Sequence, residues 1–181
     1  ISITFLSILS GQVSLQNIEW RGIGPANPGG RIVDIEAVEK DFKQVFIATA
    51  SGGVWKSNNA GTTWEPIFDR YATASIGDIA LFQPNPKIVW VGTGEANNRN
   101  SVSWGNGVYK STDGGATFSS VSGYIGGPLS MHVDNQDFRV IGNDTWITTD
   151  GGIYHSNDFF TTEPEFRMSG VHGSDYWGFG S

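Results

Sequence analysis

Short apolar runs separated by glycine and polar turns occupy most of this chain. Val45-Phe-Ile-Ala-Thr49, Val89-Trp-Val-Gly-Thr93 and Val140-Ile-Gly-Asn143 are too short for helices and rich in β-branched or aromatic residues, which predicts strands. Each is followed, directly or after an insertion, by a glycine turn and a second run: Val54-Trp-Lys-Ser57, Val108-Tyr-Lys-Ser111 and Ile153-Tyr-His-Ser156. A polar turn and a further strand close each unit. Ahead of each unit lies another apolar stretch, Arg31–Ile35, Ser75–Leu81 and Ser130–Asp134, expected as the innermost strand of its sheet.

The serines that end the second runs lie 54 and then 45 residues apart. That spacing matches the roughly 40–50 residues of a four-stranded propeller blade. The pattern therefore predicts an all-β chain: a β-propeller of four-stranded blades, about three to four of them visible, incomplete. The expected blades cover about residues 19–70, 71–122 and 127–168, with the start of another at 169–181.

The turn after each serine has its own chemistry. A carboxylate or amide two residues on accepts backbone N–H groups, a glycine supplies positive φ, and a closing aromatic packs beneath the hairpin. Ser111, Asp113, Gly115, Thr117 and Phe118 fit fully, whereas the first copy has Asn59 between Ser57 and Gly61 and closes on Trp64. The third keeps Ser156, Asp158 and Thr162 but carries Phe160 where the others have glycine. These turns fall at an outer hairpin, so their role is structural.

Composition agrees with strands: 25 Gly, 13% aromatic and only 16% charged residues do not suit long helices. A net charge of −7, with no basic run, argues against nucleic acid as a partner. No cysteine is present, which excludes disulfides and thiolate zinc sites. No stretch reaches the ~20 apolar residues of a transmembrane helix. Residues 1–12 read as a signal-peptide remnant or as an N-terminal strand, with residues 13–181 as the partial propeller. The first alternative implies a secreted, periplasmic or cell-surface location.

The Ser-x-Asp turns resemble Asp-box (bacterial neuraminidase) repeats. Trp20-Arg-Gly-Ile-Gly-Pro25, Gly52-Gly-Val-Trp-Lys56, Gly92-Thr-Gly-Glu-Ala96 and Ser103-Trp-Gly-Asn-Gly-Val108 further resemble exported bacterial sortilin-like and xyloglucanase-like glycosyl hydrolase repeat proteins. The resemblance covers about residues 19–160. It implies many more blades than are visible here, and either a polysaccharide or a protein or peptide as ligand. A larger assembly completing the propeller is the remaining alternative. Xyloglucanases of this type place a catalytic Asp in a Thr-Asp-x-Gly-Gly turn of the first blade. Here that turn is Thr49-Ala-Ser-Gly-Gly53, without a carboxylate, while Thr149-Asp-Gly-Gly152 lies in another blade.

Candidate chemistry is expected at the channel mouth. Asp34 and Glu95 form the preferred pair for glycoside hydrolysis, one as acid and the other as base or nucleophile. Arg31, Asn97, Asn98 and Arg99 would bind sugar hydroxyls, and Trp104 would stack on a pyranose face. A second reading has Asp34 and Glu95 binding backbone amides between blades. His132, Asp134 and Asp137 suggest a divalent metal site, calcium before zinc, on the expectation that residues 132 and 134 share one side of a strand. Inter-blade hydrogen bonding is the alternative for them.

Overall fold

The computed structural model describes residues 31–94, 96, 103–122 and 128–171. Among the described residues, twelve strands form three four-stranded antiparallel sheets, each built from consecutive strands in simple up-and-down order. The first sheet holds β1 (Ile32–Val38), β2 (Asp41–Thr49), β3 (Val54–Ser57) and β4 (Glu65–Pro66). The second holds β5 (Ile76–Leu81), β6 (Val89–Thr93), β7 (Val108–Ser111) and β8 (Ser119–Ser120). The third holds β9 (Asn135–Ile141), β10 (Asp144–Thr149), β11 (Gly152–Ser156) and β12 (Glu165–Phe166). The result is an open, incomplete all-β propeller whose inner strands β1, β5 and β9 are neighbours.

The third blade departs from the expected register. Ser130–Asp134 is not a strand, and the inner strand begins at Asn135. Val140 and Ile141 end that inner strand, and the next strand is Asp144–Thr149. The cause is local: Gly142 adopts φ 61° in a two-residue turn that pairs Ile141 with Asp144. A glycine at this turn position suits a tight hairpin. Asn135-Gln-Asp-Phe138 is thereby aligned with Ile32-Val-Asp-Ile35 and Ile76-Gly-Asp-Ile79, so Asp34, Asp78 and Asp137 occupy one position in successive blades.

Two apolar seams hold the blades together. Phe46, Ala48 and Val54 of the first blade pack with Ile79, Val89, Val91, Tyr109 and Phe118 of the second. Ala80, Trp90 and Val108 pack with Phe138, Ile147 and Phe160 of the third. Because the middle blade is covered on both sides, every residue of β5 and β6 is buried, and neither strand shows the alternation of a sheet with one solvated face.

A cation reinforces each seam. Lys56 lies 5.1 Å from the centre of the Phe46 ring and donates to the Gly114 carbonyl of the next blade at 2.9 Å. Lys110 lies 4.6 Å from the Trp90 ring and donates to the Phe159 carbonyl at 3.2 Å. Both accepting carbonyls belong to the Ser-x-Asp turn of the following blade. The aromatic, the cation and the turn thus form one repeated joint.

The serine turns are formed as the sequence indicates. Oγ of Ser57, Ser111 and Ser156 accepts the N–H of Gly61, Gly115 and Phe160 at 2.8, 2.9 and 2.9 Å. Asn59, Asp113 and Asp158 each accept the hydroxyl proton of their serine. Phe160 adopts the left-handed conformation of the glycines it replaces, at φ 60°. Its ring is buried 5.5 Å from Trp90, and that burial offsets the backbone strain.

Candidate functional site

Strand register fixes two ends of the molecule. Ile32 pairs with Thr49 and Ile76 with Thr93, so the starts of the inner strands share an end with the turns after β2, β6 and β10. The serine turns lie at the opposite end, where Ser57 pairs with Val45 and Ser111 with Val89. The residues of Asp113 and Asp158 are therefore remote from the mouth. Hydrogen bonds from Thr117 and Ser111 hold Asp113 at about 2, and those from Thr162 and Ser156 drive Asp158 lower still.

At the mouth, a threonine ends the second strand of every blade and folds the turn that follows. Thr49 Oγ1 donates to the Gly53 carbonyl at 2.8 Å and accepts Gly52 N–H at 2.8 Å. Thr93 donates to the Gly107 carbonyl at 2.6 Å and accepts Asn106 N–H at 2.7 Å, closing the long insertion of the second blade. Thr149 repeats the arrangement with Gly152 and Gly151 at 3.1 Å. The recurrence of Thr49, Thr93 and Thr149 was the sequence signal that aligns the third blade correctly.

The insertion is clamped against the segment leading into β9. Gly105 N–H donates to Asp134 Oδ1 at 2.5 Å, and Asn106 Nδ2 donates to the Tyr109 hydroxyl at 2.6 Å. Buried Asn135 donates to the Thr93 carbonyl at 3.1 Å. A Cβ on Gly77 would stand 1.9 Å from the Asn135 carbonyl oxygen, so only glycine admits this approach. Trp104 sits on the clamped segment with 82% of its surface exposed, and its carbonyl accepts the Thr73 hydroxyl at 3.3 Å.

Asp34 does not stand open in the channel. Its Oδ2 accepts the Ile79 N–H of the next blade at 3.3 Å, and its carboxyl is hydrogen-bonded to that of Asp78. Asp78 repeats the relation one blade on, accepting the N–H of Phe138. Burial, reinforced by the bond to Asp34 and by its charge, pushes Asp78 far above the ordinary carboxylate range, to about 9. Asp78 therefore keeps its proton at neutral pH. Two hydrogen-bonded carboxyls stand closer than the roughly 5–10 Å separations of glycosidases. Glu36, two residues along β1, is pushed up to about 7 by burial and then by Asp34, against the pull of Arg139. Sequence reasoning passed over Glu36; its one signal is the two-residue spacing from Asp34 on a strand.

The other candidates are distributed as follows. Arg31 is half-buried, and its carbonyl accepts Ala50 N–H at 3.0 Å. Glu95, Asn97, Asn98 and Arg99 lie outside the described residues. His132, Asp134 and Asp137 are not brought together. His132 Nδ1 accepts the Asp134 amide at 3.2 Å, Asp134 takes Gly105, and Asp137 pairs with Arg139 at 2.9 Å. Residues 132 and 134 are not on a strand, which removes the alternation that would place them on one side. Among the described residues, no group of three or more His, Asp or Glu is arranged to hold a metal ion.

No protein-family model matches the chain, and no curated protein matches it. Solved structures do. An ancestral GH74 enzyme superposes with TM-score 0.56 at 16% identity, over 71% of this chain and 17% of that one. YCF48 from Cyanidioschyzon merolae superposes with TM-score 0.52 at 19% identity, over 76% of this chain and 37% of that one. The GH74 xyloglucanase from Xanthomonas campestris gives TM-score 0.52 at 10% identity, over 68% and 20%. At these identities the likeness shows the propeller fold. The chain spans well under half the length of these structures. Among the described residues, no helix is long and apolar enough to cross a membrane.

Proposed function

We propose that this chain is part of an exported Asp-box β-propeller that binds a polysaccharide at its channel mouth without hydrolysing it. The observation that carries the reading is the state of Asp34. Its carboxyl is committed to Ile79 N–H and to Asp78, which makes it a blade-joining group rather than a catalyst. On the same end, Trp104 leaves 82% of its surface exposed on a segment anchored through Gly105 and Asn106. A flat, exposed indole on an anchored backbone suits stacking against the apolar face of a pyranose. Glu95, Asn97, Asn98 and Arg99 belong to the same insertion and would supply hydrogen bonds to hydroxyls.

Affinity electrophoresis through gels containing xyloglucan or other β-glucans tests this reading, with a reducing-end assay run on the same mixtures. Retardation without release of reducing ends is expected, weakened about tenfold by Trp104→Ala, the equivalent of about 1.4 kcal/mol. Release of reducing ends that disappears in Asp34→Asn would restore the hydrolase alternative.

A peptide ligand is the second reading. It is supported by the same exposed Trp104 and by the fold shared with YCF48 bound to D1 peptide, TM-score 0.51 at 15% identity. Retardation by no polysaccharide, together with Trp104-dependent capture from a peptide library, would favour it.

A further inference from the structure

Asp134 stands immediately before β9, as Ser75 stands before β5 and Arg31 before β1. The main chain treats the three alike. Their carbonyls accept the N–H of Asp150, Gly94 and Ala50 at 3.2, 2.9 and 3.0 Å, each donor lying one residue beyond the threonine that ends the second strand. The mouth turn of one blade is also tied to the chain entering the next in the same way at both joints. Gly53 N–H donates to the Ala74 carbonyl at 2.9 Å, and Gly107 N–H donates to the Val133 carbonyl at 3.2 Å. These links make the first joint with Ser75 in place, and the Ser75 hydroxyl finds no hydrogen-bond partner among the described residues. Blade packing at the mouth therefore needs no carboxylate at this position.

The second joint differs in what lies opposite. The first blade turns from β2 to β3 through Ala50–Gly53, whereas the second blade carries its insertion between β6 and β7. Only there does the repeat position hold a carboxylate, and Asp134 Oδ1 accepts the N–H of Gly105 at 2.5 Å. Gly94, at φ 118°, makes room for it: a Cβ there would stand 2.9 Å from Asp134 Oδ1 and 2.8 Å from its Cα. Asp134 is itself fixed by its surroundings, since its carbonyl takes Asp150 N–H and its own N–H donates to His132 Nδ1 at 3.2 Å. The residue before Gly105 is Trp104, whose carbonyl is held by the Thr73 hydroxyl of the chain leading into the second blade.

We infer that Asp134 is a positioning residue for Trp104: from the third blade, it fixes the backbone that carries the exposed indole of the second. What the indole is positioned for rests on the polysaccharide reading above; that it is positioned does not. A charge-assisted hydrogen bond to the adjacent amide is stronger than a neutral one, and it limits the orientations that the indole presents to a sugar ring. The site thereby spans two blades, with the stacking group on one and its support on the other.

Fluorine NMR of the full chain labelled with 5-fluorotryptophan tests the inference without ligand. The lines of Trp104 and Trp90 are assigned by their loss in Trp104→Phe and Trp90→Phe. Asp134→Ser installs the residue of the first joint, so the blades should stay packed and the buried Trp90 line should stay in place. The Trp104 line should move or broaden, and Asp134→Asn, which keeps an acceptor for Gly105, should leave it near its original position. In affinity electrophoresis through xyloglucan, Asp134→Ser should weaken retardation about tenfold, the scale of one charge-assisted hydrogen bond. Asp134→Asn should recover it to within about threefold. Added to Trp104→Ala, Asp134→Ser should cost nothing further, because it acts through the indole that is gone. An unmoved Trp104 line in Asp134→Ser overturns the inference. So does a Trp90 line that moves with it, which would make Asp134 a blade-packing residue, or a loss that adds to that of Trp104→Ala. Wild-type protein retarded by no polysaccharide overturns the ligand reading alone, and the fluorine lines still decide the role of Asp134.

Discussion

The Asp78 carboxyl in the inner strand of the second blade accepts the backbone N–H of Phe138 in the inner strand of the third. Asp34 stands in the same relation to Ile79 one blade earlier. Inner strands of adjacent blades are too splayed to share a sheet, and these carboxyls bridge amides that would otherwise be buried unpaired. Asp78→Ala should cost about 3 kcal/mol, from the orphaned Phe138 amide and the space left behind. Asp78→Asn keeps an acceptor and should cost less than about 1 kcal/mol at neutral pH. Urea unfolding of both variants checks the difference; equal losses would show that the amide bond is not the source.

The same residue sets a pH dependence. Its carboxyl, raised from 3.8 to about 9 by burial and by Asp34, binds its proton more tightly in the folded chain than in the unfolded one. Such a group contributes stability that is fully present below about pH 4 and is lost progressively as pH rises towards 9. Asp78→Asn should flatten that decline. Thermal unfolding from pH 5 to 9.5 measures it, and parallel curves for the two proteins would refute the assignment.

Ser111 is fully buried and accepts the N–H groups of Asp113 and Gly115 at 3.2 and 2.9 Å. Ser111→Ala leaves both amides without that acceptor and should destabilise by about 1–3 kcal/mol. Asp113 sits in solvent, held below its ordinary value by Thr117 and Ser111. Its contribution is present above pH 4 and is lost as pH falls through about 2. Asp113→Asn lacks that contribution at every pH, so its acid unfolding should begin at higher pH than that of the wild type; an unchanged midpoint would refute the assignment.

Phe160 separates two opposing effects at one position. Glycine there would relieve a φ of 60°, worth about 1 kcal/mol or a little more. It would also remove a ring packed among Trp90 and Phe138, at about 3–5 kcal/mol. Phe160→Gly should therefore destabilise by about 2–4 kcal/mol, although it restores the residue of the other two turns. A gain in melting temperature would show that strain outweighs burial.

Gly77 faces the Asn135 carbonyl with no room for a side chain. Gly77→Ala must push apart the second and third blades. Beyond a loss of several kcal/mol, it should expose Trp90, visible as a red shift of tryptophan emission under native conditions. An unchanged spectrum with unchanged stability would contradict the close approach.

The strands, the blade period and the serine turns were legible because they are local. They depend on side-chain alternation and on the chemistry of a few adjacent residues, such as Ser111, Asp113 and Gly115. Two local misreadings followed from the third blade, where Ser130–Asp134 is apolar enough to imitate a strand and Gly142 hides a hairpin inside an apolar run. Recognising Asn135-Gln-Asp-Phe138 as the inner strand required seeing that Thr149, not Asn143, ends the second one.

The sequence by itself determined that this chain forms four-stranded blades, because each blade is written in turns and strands of fewer than ten residues. Only the tertiary structure decided what its polar groups do. Asp34 reads equally as catalyst or as joint, since a carboxylate on a strand meets its partner 45 residues away, across a gap that no local pattern encodes. Asp78 is protonated for the same reason. Its burial and its neighbour are properties of two blades in contact, and neither blade carries them alone.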